Sequence, residues 1–174
     1  MRSHDTLRGE RLVLRDYDRA DMDFGLMMWL DEENGRYLSD PTAEAADERY
    51  FRTVEGLAEH PAGYFFIAEH DGVPVGSCFA YPQEGGVCEV AYCVRKDRWR
   101  QGYGYEMLML LIGWIRARGF GEVRAEAALA NDGSNALLRK AGFAPVGEST
   151  YRKRGVDGDQ PSRVYSLVLG ETQR

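Results

Sequence analysis

The residues best suited to chemistry lie in a short cationic turn that contains two glycines. The stretch Val94-Arg-Lys-Asp-Arg-Trp-Arg-Gln-Gly-Tyr-Gly-Tyr-Glu-Met107 follows an apolar segment and opens an apolar helical pattern. Main-chain N–H groups in the first turn of a helix lack an intrahelical acceptor, and the helix dipole favours an anion there. Glycine lets the backbone approach a phosphate closely because it has no Cβ. We therefore predict a phosphate or pyrophosphate on the amides of residues 100–105.

Gly102 and Gly104 do not by themselves identify that ligand. A dinucleotide fingerprint has a third glycine where this chain has Met107, and a P-loop needs a Gly-Lys-Ser/Thr sequence that is absent. Taken alone, the two glycines are equally typical of a turn that precedes a core helix. The surrounding elements must decide what the turn binds.

The hydrophobic pattern predicts a mixed α/β fold in the order β-α-α-β-β-β-α-β-α-β-β, with helices packed on one sheet. The turn sequences Asp71-Gly72 and Glu84-Gly85-Gly86 indicate that three consecutive strands form an antiparallel meander. The predicted strands span residues 10–17, 64–69, 73–81, 87–94, 122–129, 143–153 and 162–169, and the predicted helices span residues 18–30, 43–59, 103–118 and 131–141.

Composition and charge exclude several classes of protein. A chain of 174 residues, 44% hydrophobic and 29% charged, is expected to form one globular domain. No apolar run reaches the roughly 18 residues of a transmembrane helix, and no apolar signal core follows the N-terminus. A net charge of −6 disfavours nonspecific nucleic-acid binding. We expect a cytoplasmic protein with neither a nucleic-acid nor a membrane partner.

The cysteines and histidines do not suggest a metal site. The three cysteines lie in apolar segments without Cys-x-x-Cys spacing, so they are expected to be reduced and buried: Cys78, Cys88 and Cys93. The three histidines cluster neither with each other nor with the cysteines. We therefore expect no metal cofactor.

Three motifs in sequence resemble a known cofactor-binding segment. The stretch Trp99-Arg-Gln-Gly-Tyr-Gly104, with Asn131-Asp-Gly-Ser134 and Lys140-Ala-Gly-Phe143 downstream, resembles that of GNAT-type acetyltransferases. The similarity runs in order across residues 8–170. It implies a single GNAT domain with a mostly antiparallel sheet of about seven strands and about four flanking helices. One position departs from the family, because Trp99 stands where Gln or Arg is usual.

Two further segments are similar to one branch of that family. Glu10-Arg-Leu-Val-Leu-Arg15 and Glu89-Val-Ala-Tyr92 resemble the branch that contains ribosomal-protein N-terminal acetyltransferases. The resemblance implies acetyl-CoA as co-substrate, with its pyrophosphate on the predicted amides and its pantetheine arm along the strand before them. The residues expected to bind the cofactor are Tyr92, Cys93, Val94, Arg95, Arg100, Gln101, Gly102, Tyr103, Gly104, Tyr105, Asn131 and Ser134.

The catalytic residues implied by the resemblance are Glu89 and Asn131. An alkyl ammonium has a pKa of about 10, so a base must remove its proton before it attacks a thioester. Glu89 occupies a family position that often holds this base, although a strand glutamate facing solvent is the other interpretation. Asn131 suits a helix N-cap, and the resemblance adds a hydrogen bond to the pantetheine arm or to a catalytic water.

The proton donor for the leaving thiolate is not identified by the sequence. Leu138 stands where many family members have a tyrosine, and leucine carries no proton to give. Ser134 and Tyr151 are the alternatives, unless the thiolate leaves unaided. A main-chain N–H near Cys93 or Val94 is expected to polarise the thioester carbonyl.

The acceptor is expected to be a cationic primary amine. Residues 1–60 carry 15 acidic and 8 basic side chains, and a negative surface attracts cations. Asp31–Asn34, the second helix and Arg154–Asp159 are the segments expected to contact it. Two alternatives remain: a non-catalytic CoA-binding module of the same fold, and an unrelated nucleotide-binding α/β protein. A homodimer through an exposed apolar edge is a further possibility.

Overall fold

One eight-stranded sheet organises the chain, with helices on both of its faces. The computed structural model describes residue 3 and residues 5–170. The strands are β1 (Leu7–Arg8), β2 (Leu12–Asp16), β3 (Tyr64–His70), β4 (Val73–Pro82), β5 (Val87–Val94), β6 (Glu122–Ala128), β7 (Ala144–Tyr151) and β8 (Gln160–Val168). The helices are α1 (Met22–Trp29), α2 (Glu48–Glu55), α3 (Tyr103–Ala117) and α4 (Asp132–Lys140).

The strand order is β1-β2-β3-β4-β5-β6-β8-β7. Every neighbouring pair is antiparallel except β5 and β6, which run parallel and pair over Val87–Val90 and Glu122–Ala125. Beyond that point β6 continues its pairing with β8, whereas β5 continues its pairing with β4. The predicted mixed α/β fold is therefore confirmed, and the two-residue β1 adds a strand that is too short to show an alternating pattern.

The first two helices are shorter than predicted because side chains cap them internally. Asp18 and Asp21 form a reciprocal capping box around a single 3-10 turn, and α1 begins only afterwards. Asp47 accepts a hydrogen bond from the Tyr50 N–H and so starts α2, which ends at Gly56. The predicted helix over residues 43–59 is wrong in extent, since 3-10 turns at Ala43–Ala45 and Leu57–Glu59 flank this shorter α2.

Two hydrophobic cores lie on opposite faces of the sheet. The face under α3 and α4 buries side chains of β2 to β6, among them Cys88 and Val90. The face under α1 and α2 buries Met28, Trp29 and Cys93. Neighbouring side chains of β5 thus alternate between the two cores, as the pleat of a strand requires. All three cysteines are buried free thiols, which confirms that expectation.

Glu106, in the first turn of α3, joins this helix to the N-terminal strand β2. Its carboxylate accepts hydrogen bonds from the main-chain N–H groups of Arg11 and Leu12 at 2.7 and 2.9 Å. The Arg11 Nε donates to the same carboxylate at 2.9 Å. Burial opposes ionisation of Glu106, but these donors outweigh it and lower the pKa of Glu106 below its ordinary value of 4.5.

Within residues 3 and 5–170, no helix is both long and apolar enough to cross a membrane.

We predict that Glu106→Gln lowers the free energy of unfolding at pH 7 by about 1–2 kcal/mol, because charge-assisted bonds become neutral ones. A lowered native pKa stabilises the fold above pH 4.5, and that contribution disappears as the pH falls through the native value. Urea denaturation between pH 7 and pH 3 should therefore show the variant and the wild type converging at the acidic end. Glu10→Gln, at an exposed position, is the matched control. An equal loss at pH 7 and pH 3 would contradict the prediction.

Candidate active site

The turn before α3 presents main-chain N–H groups at the mouth of a cleft. Gly102 is the N-cap of α3, with φ at 85° and no side-chain cap on the helix. Only glycine adopts that left-handed conformation without strain. The Gln101 carbonyl is held by the Arg11 Nη1 at 2.9 Å, which fixes the opposite side of the turn. The first-turn amides of α3 therefore remain available to an anion, as the sequence predicts.

Gly104 has a packing role that the sequence does not reveal. A Cβ on this residue would lie 2.8 Å from the Leu137 Cδ1 of α4 and 3.6 Å from the Val94 Cγ2 of β5. The missing side chain therefore lets the start of α3 approach its neighbours closely. Gly102 supplies the backbone conformation and Gly104 supplies the space.

The four cations of the turn do not all face this cleft. Arg95 binds the Asp97 carboxylate with contacts of 2.6 and 2.8 Å, and Lys96 binds Asp31 at 2.8 Å. Arg98 and Arg100 line the cleft. Among the buried side-chain N and O atoms that the structure describes, the Arg98 Nε has no hydrogen-bond partner, and its nearest carboxylate, Asp97, is 3.8 Å away. The Arg98 side chain is itself 35% exposed, so its positive charge is available to an anionic ligand in the cleft.

The cleft beside this turn has a volume of about 670 Å³ and borders the end of β5. Ten of the twelve residues predicted to bind the cofactor line it: Tyr92, Cys93, Val94, Arg100, Gly102, Tyr103, Gly104, Tyr105, Asn131 and Ser134. The other two, Arg95 and Gln101, lie outside the lining, with Arg95 paired to Asp97 and the Gln101 Nε2 donating to the Asp97 carbonyl.

The edge of β5 is open where this strand leaves β6. The Arg95 N–H donates to the Val75 carbonyl of β4, so the main-chain groups of Cys93 also face β4. Those of Tyr92 and Val94 consequently point to the opposite edge. The Val94 carbonyl already accepts the Trp99 Nε1 at 2.7 Å and the Asn34 Nδ2 at 3.2 Å. The Val94 N–H and both main-chain groups of Tyr92 remain at the open edge.

A second cleft of about 660 Å³ lies on the α1 and α2 side of the sheet. Its lining combines aromatic rings with carboxylates, including Tyr50, Tyr81, Asp40 and Glu89. It shares lining residues with the first cleft: Tyr37, Leu38, Tyr92, Cys93, Asn131 and Ser134. The two clefts therefore meet where β5 and β6 separate.

Two hydroxyl groups and an amide lie at this junction. The Tyr92 hydroxyl and the Ser134 Oγ are 2.8 Å apart, and burial raises the pKa of Tyr92 to about 12. The Asn131 Oδ1 accepts the Ser134 N–H at 3.0 Å, which makes Asn131 the N-cap of α4. Leu138 lies fully buried in the core under α3 and has no proton to give, so the proton donor is another group unless the thiolate leaves unaided.

Glu89 lies on the second cleft and not on the first. Its side chain is exposed in the middle of β5, between Tyr81 of β4 and Arg124 of β6. The side chain therefore faces solvent and also borders a cleft, and its role as the base stays a prediction. Tyr151 lines the second cleft alone, whereas Ser134 lines both.

Residues 31–40 connect the two clefts through contacts that the sequence does not predict. The Lys153 Nζ donates to the main-chain carbonyls of Gly35, Leu38 and Asp40, at 3.0, 3.2 and 2.6 Å. Burial lowers the pKa of Lys153. Asn34 binds the end of β5, so this segment is held at both ends. Glu33 and Asn34, in the segment expected to contact the acceptor, line the first cleft, and that expectation stays a prediction.

Asn135 joins α4 to the end of β6 and is another residue that the sequence does not identify. Its Nδ2 donates to the carbonyls of Ala128 and Asn131 at 2.9 and 2.7 Å. The Tyr165 hydroxyl of β8 donates to the Asn135 Oδ1 at 2.7 Å. These buried bonds fix the position of Asn131 and Ser134 relative to the sheet.

Among the described residues, no group of three or more His, Cys, Asp or Glu is arranged to hold a metal ion.

Comparisons with known proteins agree with this geometry. The model of the acetyltransferase (GNAT) domain matches residues 11–144. The "Uncharacterized N-acetyltransferase p20" of Bacillus licheniformis is 27% identical over 151 residues, covering 82% of this chain and 84% of the relative.

Solved structures share the fold. The Salmonella typhimurium acetyltransferase that modifies the N-terminal serine of ribosomal protein L7/L12 superposes with a TM-score of 0.77 at 15% identity, covering 95% of this chain and 99% of that one. A RimL ribosomal L7/L12 acetyltransferase in complex with coenzyme A gives 0.76 at 16% identity, with 95% and 98% covered. Since the domain model spans well over half of the sequence, this chain belongs to the GNAT acetyltransferase family, whose members use acetyl-CoA.

Proposed function

We propose that this protein transfers the acetyl group of acetyl-CoA to a primary amine by direct attack on the thioester. The observation that carries the proposal is the meeting of two clefts at the separation of β5 and β6. A cofactor entering from the α3 side and an amine entering from the α2 side would reach the same point from opposite faces of the sheet. That arrangement brings both reactants together without a covalent enzyme intermediate.

The first cleft suits coenzyme A in its chemistry. A diphosphate on the N-terminal amides of α3 would be stabilised by the helix dipole and by the cations of Arg98 and Arg100. The open edge of β5 offers the Val94 N–H and both main-chain groups of Tyr92 to the amides of a pantetheine arm. Asn131 and Ser134 border the end of that arm, where the thioester would lie.

The transfer requires two proton movements. The amine nitrogen bonds to the thioester carbon and the carbon–sulfur bond breaks. The ammonium first loses one proton to the base, and after attack the nitrogen loses a second proton, which balances the one that the thiolate gains. Glu89 borders the acceptor cleft and is the base of the proposal, acting directly or through water. Polarisation of the carbonyl by a main-chain N–H near Cys93 or Val94 stays a prediction, because the Cys93 N–H faces β4 and the Val94 N–H would already pair with the pantetheine arm.

Ser134 is the better supported of the two candidate proton donors. It borders both clefts and its hydroxyl is hydrogen bonded to that of Tyr92, so a proton can be relayed between them. Tyr151 borders only the acceptor cleft and stands apart from the cofactor side. In this proposal Ser134, in the first turn of α4, gives the proton that the missing family tyrosine would supply, and unaided departure of the thiolate is the alternative.

The acceptor of the proposal is a cationic primary amine, such as a protein N-terminus or a small amine. The carboxylates of Asp40 and Glu89 in the second cleft support a positive charge on the acceptor. The solved relatives that modify the N-terminal serine of L7/L12 support a protein amine.

A cytoplasmic location remains part of the proposal, consistent with a ribosomal class of acceptor.

A homodimer also remains a prediction. Val146, on the edge strand β7, and Val168, at the end of its neighbour β8, expose 60% and 76% of their surface. Pairing of these apolar side chains across two copies would remove them from water. Light scattering during size-exclusion chromatography should give twice the chain mass of 19.7 kDa, and a mass near 19.7 kDa would contradict a dimer.

Arg98 tests the cofactor side of the proposal. Arg98→Gln removes a cation whose Nε lacks a partner in the protein, so the dissociation constant of CoA should rise by about tenfold. Titration calorimetry with CoA measures it directly. Arg116→Gln removes one charge from the exposed far end of α3 and should leave CoA affinity unchanged. Equal affinities in both variants would remove Arg98 from the cofactor site.

Glu89 tests the chemistry. Glu89→Gln should lower kcat by about a hundredfold or more, because the amide cannot accept the proton, while CoA affinity stays the same. Release of thiol from acetyl-CoA, followed with a panel of amines and peptides across pH, provides the readout. Glu84→Gln, in the exposed turn before β5, is the control. Unaltered turnover of the Glu89 variant at every pH would exclude Glu89 as the base. Tight CoA binding with no thiol release by the wild type would favour the non-catalytic module.

A further inference from the structure

Asp40 stands out among the residues of the acceptor cleft because its carboxylate is partly buried and accepts a tyrosine hydroxyl rather than a salt bridge. The Tyr50 hydroxyl donates to its Oδ1 at 2.8 Å. Lys153, the nearest lysine, directs its Nζ to the main-chain carbonyl of Asp40. Among the described residues, no Lys, Arg or His forms an ion pair with the carboxylate. Burial raises the pKa of Asp40, and the Tyr50 hydrogen bond and the nearby Lys153 charge offset this only in part, so a bound cation would stabilise the carboxylate further.

Neighbouring groups show that the Asp40 charge acts inside the cleft. Burial and then the charge of Asp40 raise the pKa of Tyr81 to about 12. The same two causes, in the same order, raise the pKa of Cys93 to about 12. Tyr81 lines the acceptor cleft, and Cys93 lies at its junction with the cofactor cleft. Asp40, Tyr81 and Cys93 therefore border the same space, next to the junction where the acceptor amine must react.

Aromatic rings complete the surroundings of this carboxylate. Tyr81 packs edge-on against Phe65 and Phe79, with centroids 5.7 and 6.3 Å apart, and Tyr50 closes the α2 side. The faces of such rings attract ammonium groups and pack against hydrocarbon. The position of Asp40 is also fixed, because Lys153 holds its main chain. A preorganised carboxylate beside aromatic rings is suited to recognise a primary ammonium.

We propose that Asp40 is the specificity-determining residue of the acceptor cleft, binding the ammonium group of the incoming amine while the rings of Tyr50 and Tyr81 contact its hydrocarbon part. This inference rests on the proposed transfer to a primary amine and adds the residue that selects the charge. Asp40 binds the acceptor as a cation and Glu89 removes the proton, so the two carboxylates have separate roles. Loss of Asp40 should weaken amine binding and leave cofactor binding intact.

The test compares an ammonium with a neutral molecule of the same shape. Phenethylamine and phenethyl alcohol are titrated by calorimetry into protein saturated with CoA, a complex in which no acetyl group can be transferred. The wild type should bind the amine about tenfold more tightly than the alcohol. Asp40→Asn keeps the size of the side chain and an oxygen for Tyr50, and it should abolish this preference. Asp23→Asn removes one charge at an exposed position of α1 and should retain the preference.

Two further variants separate charge from structure. Asp40→Glu keeps the charge and should retain most of the preference for the amine. Tyr50→Phe removes only the phenolic donor and should also retain it, which keeps the test decisive if Asp40→Asn folds poorly. A wild type that binds both probes equally, or an Asp40→Asn variant that still prefers the amine, would overturn the inference. Loss of the preference in Tyr50→Phe would overturn it as well.

Turnover separates this inference from the proposed function. If the wild type prefers the amine and Asp40→Asn does not, the ammonium site stands whether or not thiol is released from acetyl-CoA. If thiol is released, Asp40→Asn should raise the KM for phenethylamine by about tenfold with kcat nearly unchanged. A fall in kcat at constant KM would instead place Asp40 in the chemistry and contradict its role in binding.

Discussion

The separation of β5 from β6 is the constraint on which the rest of the structure depends. These strands form the one parallel pair in the described sheet, and they pair over only four residues each. A parallel pair needs a crossover, which α3 supplies, so the N-terminus of α3 must lie at the end of β5. The phosphate-binding turn and the open strand edge therefore come from a single connection. The sheet is open at its centre, which lets ligands on its two faces reach one another.

The segment from residue 31 to residue 40 depends on the same opening. Asn34 reaches the end of β5, with contacts from its Nδ2 to the Cys93 Sγ at 3.0 Å and to the Val94 carbonyl. Its Oδ1 accepts the Lys96 N–H at 2.6 Å. At the other end Lys153 binds three main-chain carbonyls of the segment, those of Gly35, Leu38 and Asp40. A part of the chain without regular secondary structure is thus held by polar contacts between the cofactor turn and the acceptor cleft.

The sequence predicted those features whose causes are local. Repeating apolar spacing identified α3, and free helix amides with two glycines indicated where an anion would bind. The contacts of Lys153 could not be predicted, because its partners are main-chain carbonyls far away in sequence. Those of Asn135 could not be predicted either, because the loop between β6 and α4 must form before the nearby carbonyls turn toward its side chain. Arg95 illustrates the same limit: its charge suggested phosphate, while its actual partner is Asp97, two residues away. Burial of Asp40 beside aromatic rings follows from strand order, which periodicity does not specify.

The Val94 carbonyl has a consequence for ligand register. With the Trp99 indole and the Asn34 amide both directed at this oxygen, an extended ligand beside β5 finds no free acceptor there. Such a ligand meets a free N–H at Val94, and both a free N–H and a free carbonyl at Tyr92. A chain that carries amides can pair with these three groups in one alignment. A shift by one peptide unit would place a ligand N–H against the Val94 carbonyl, which is already in use. Two side chains outside the strand thereby act as a stop that sets how far a linear molecule slides toward the junction.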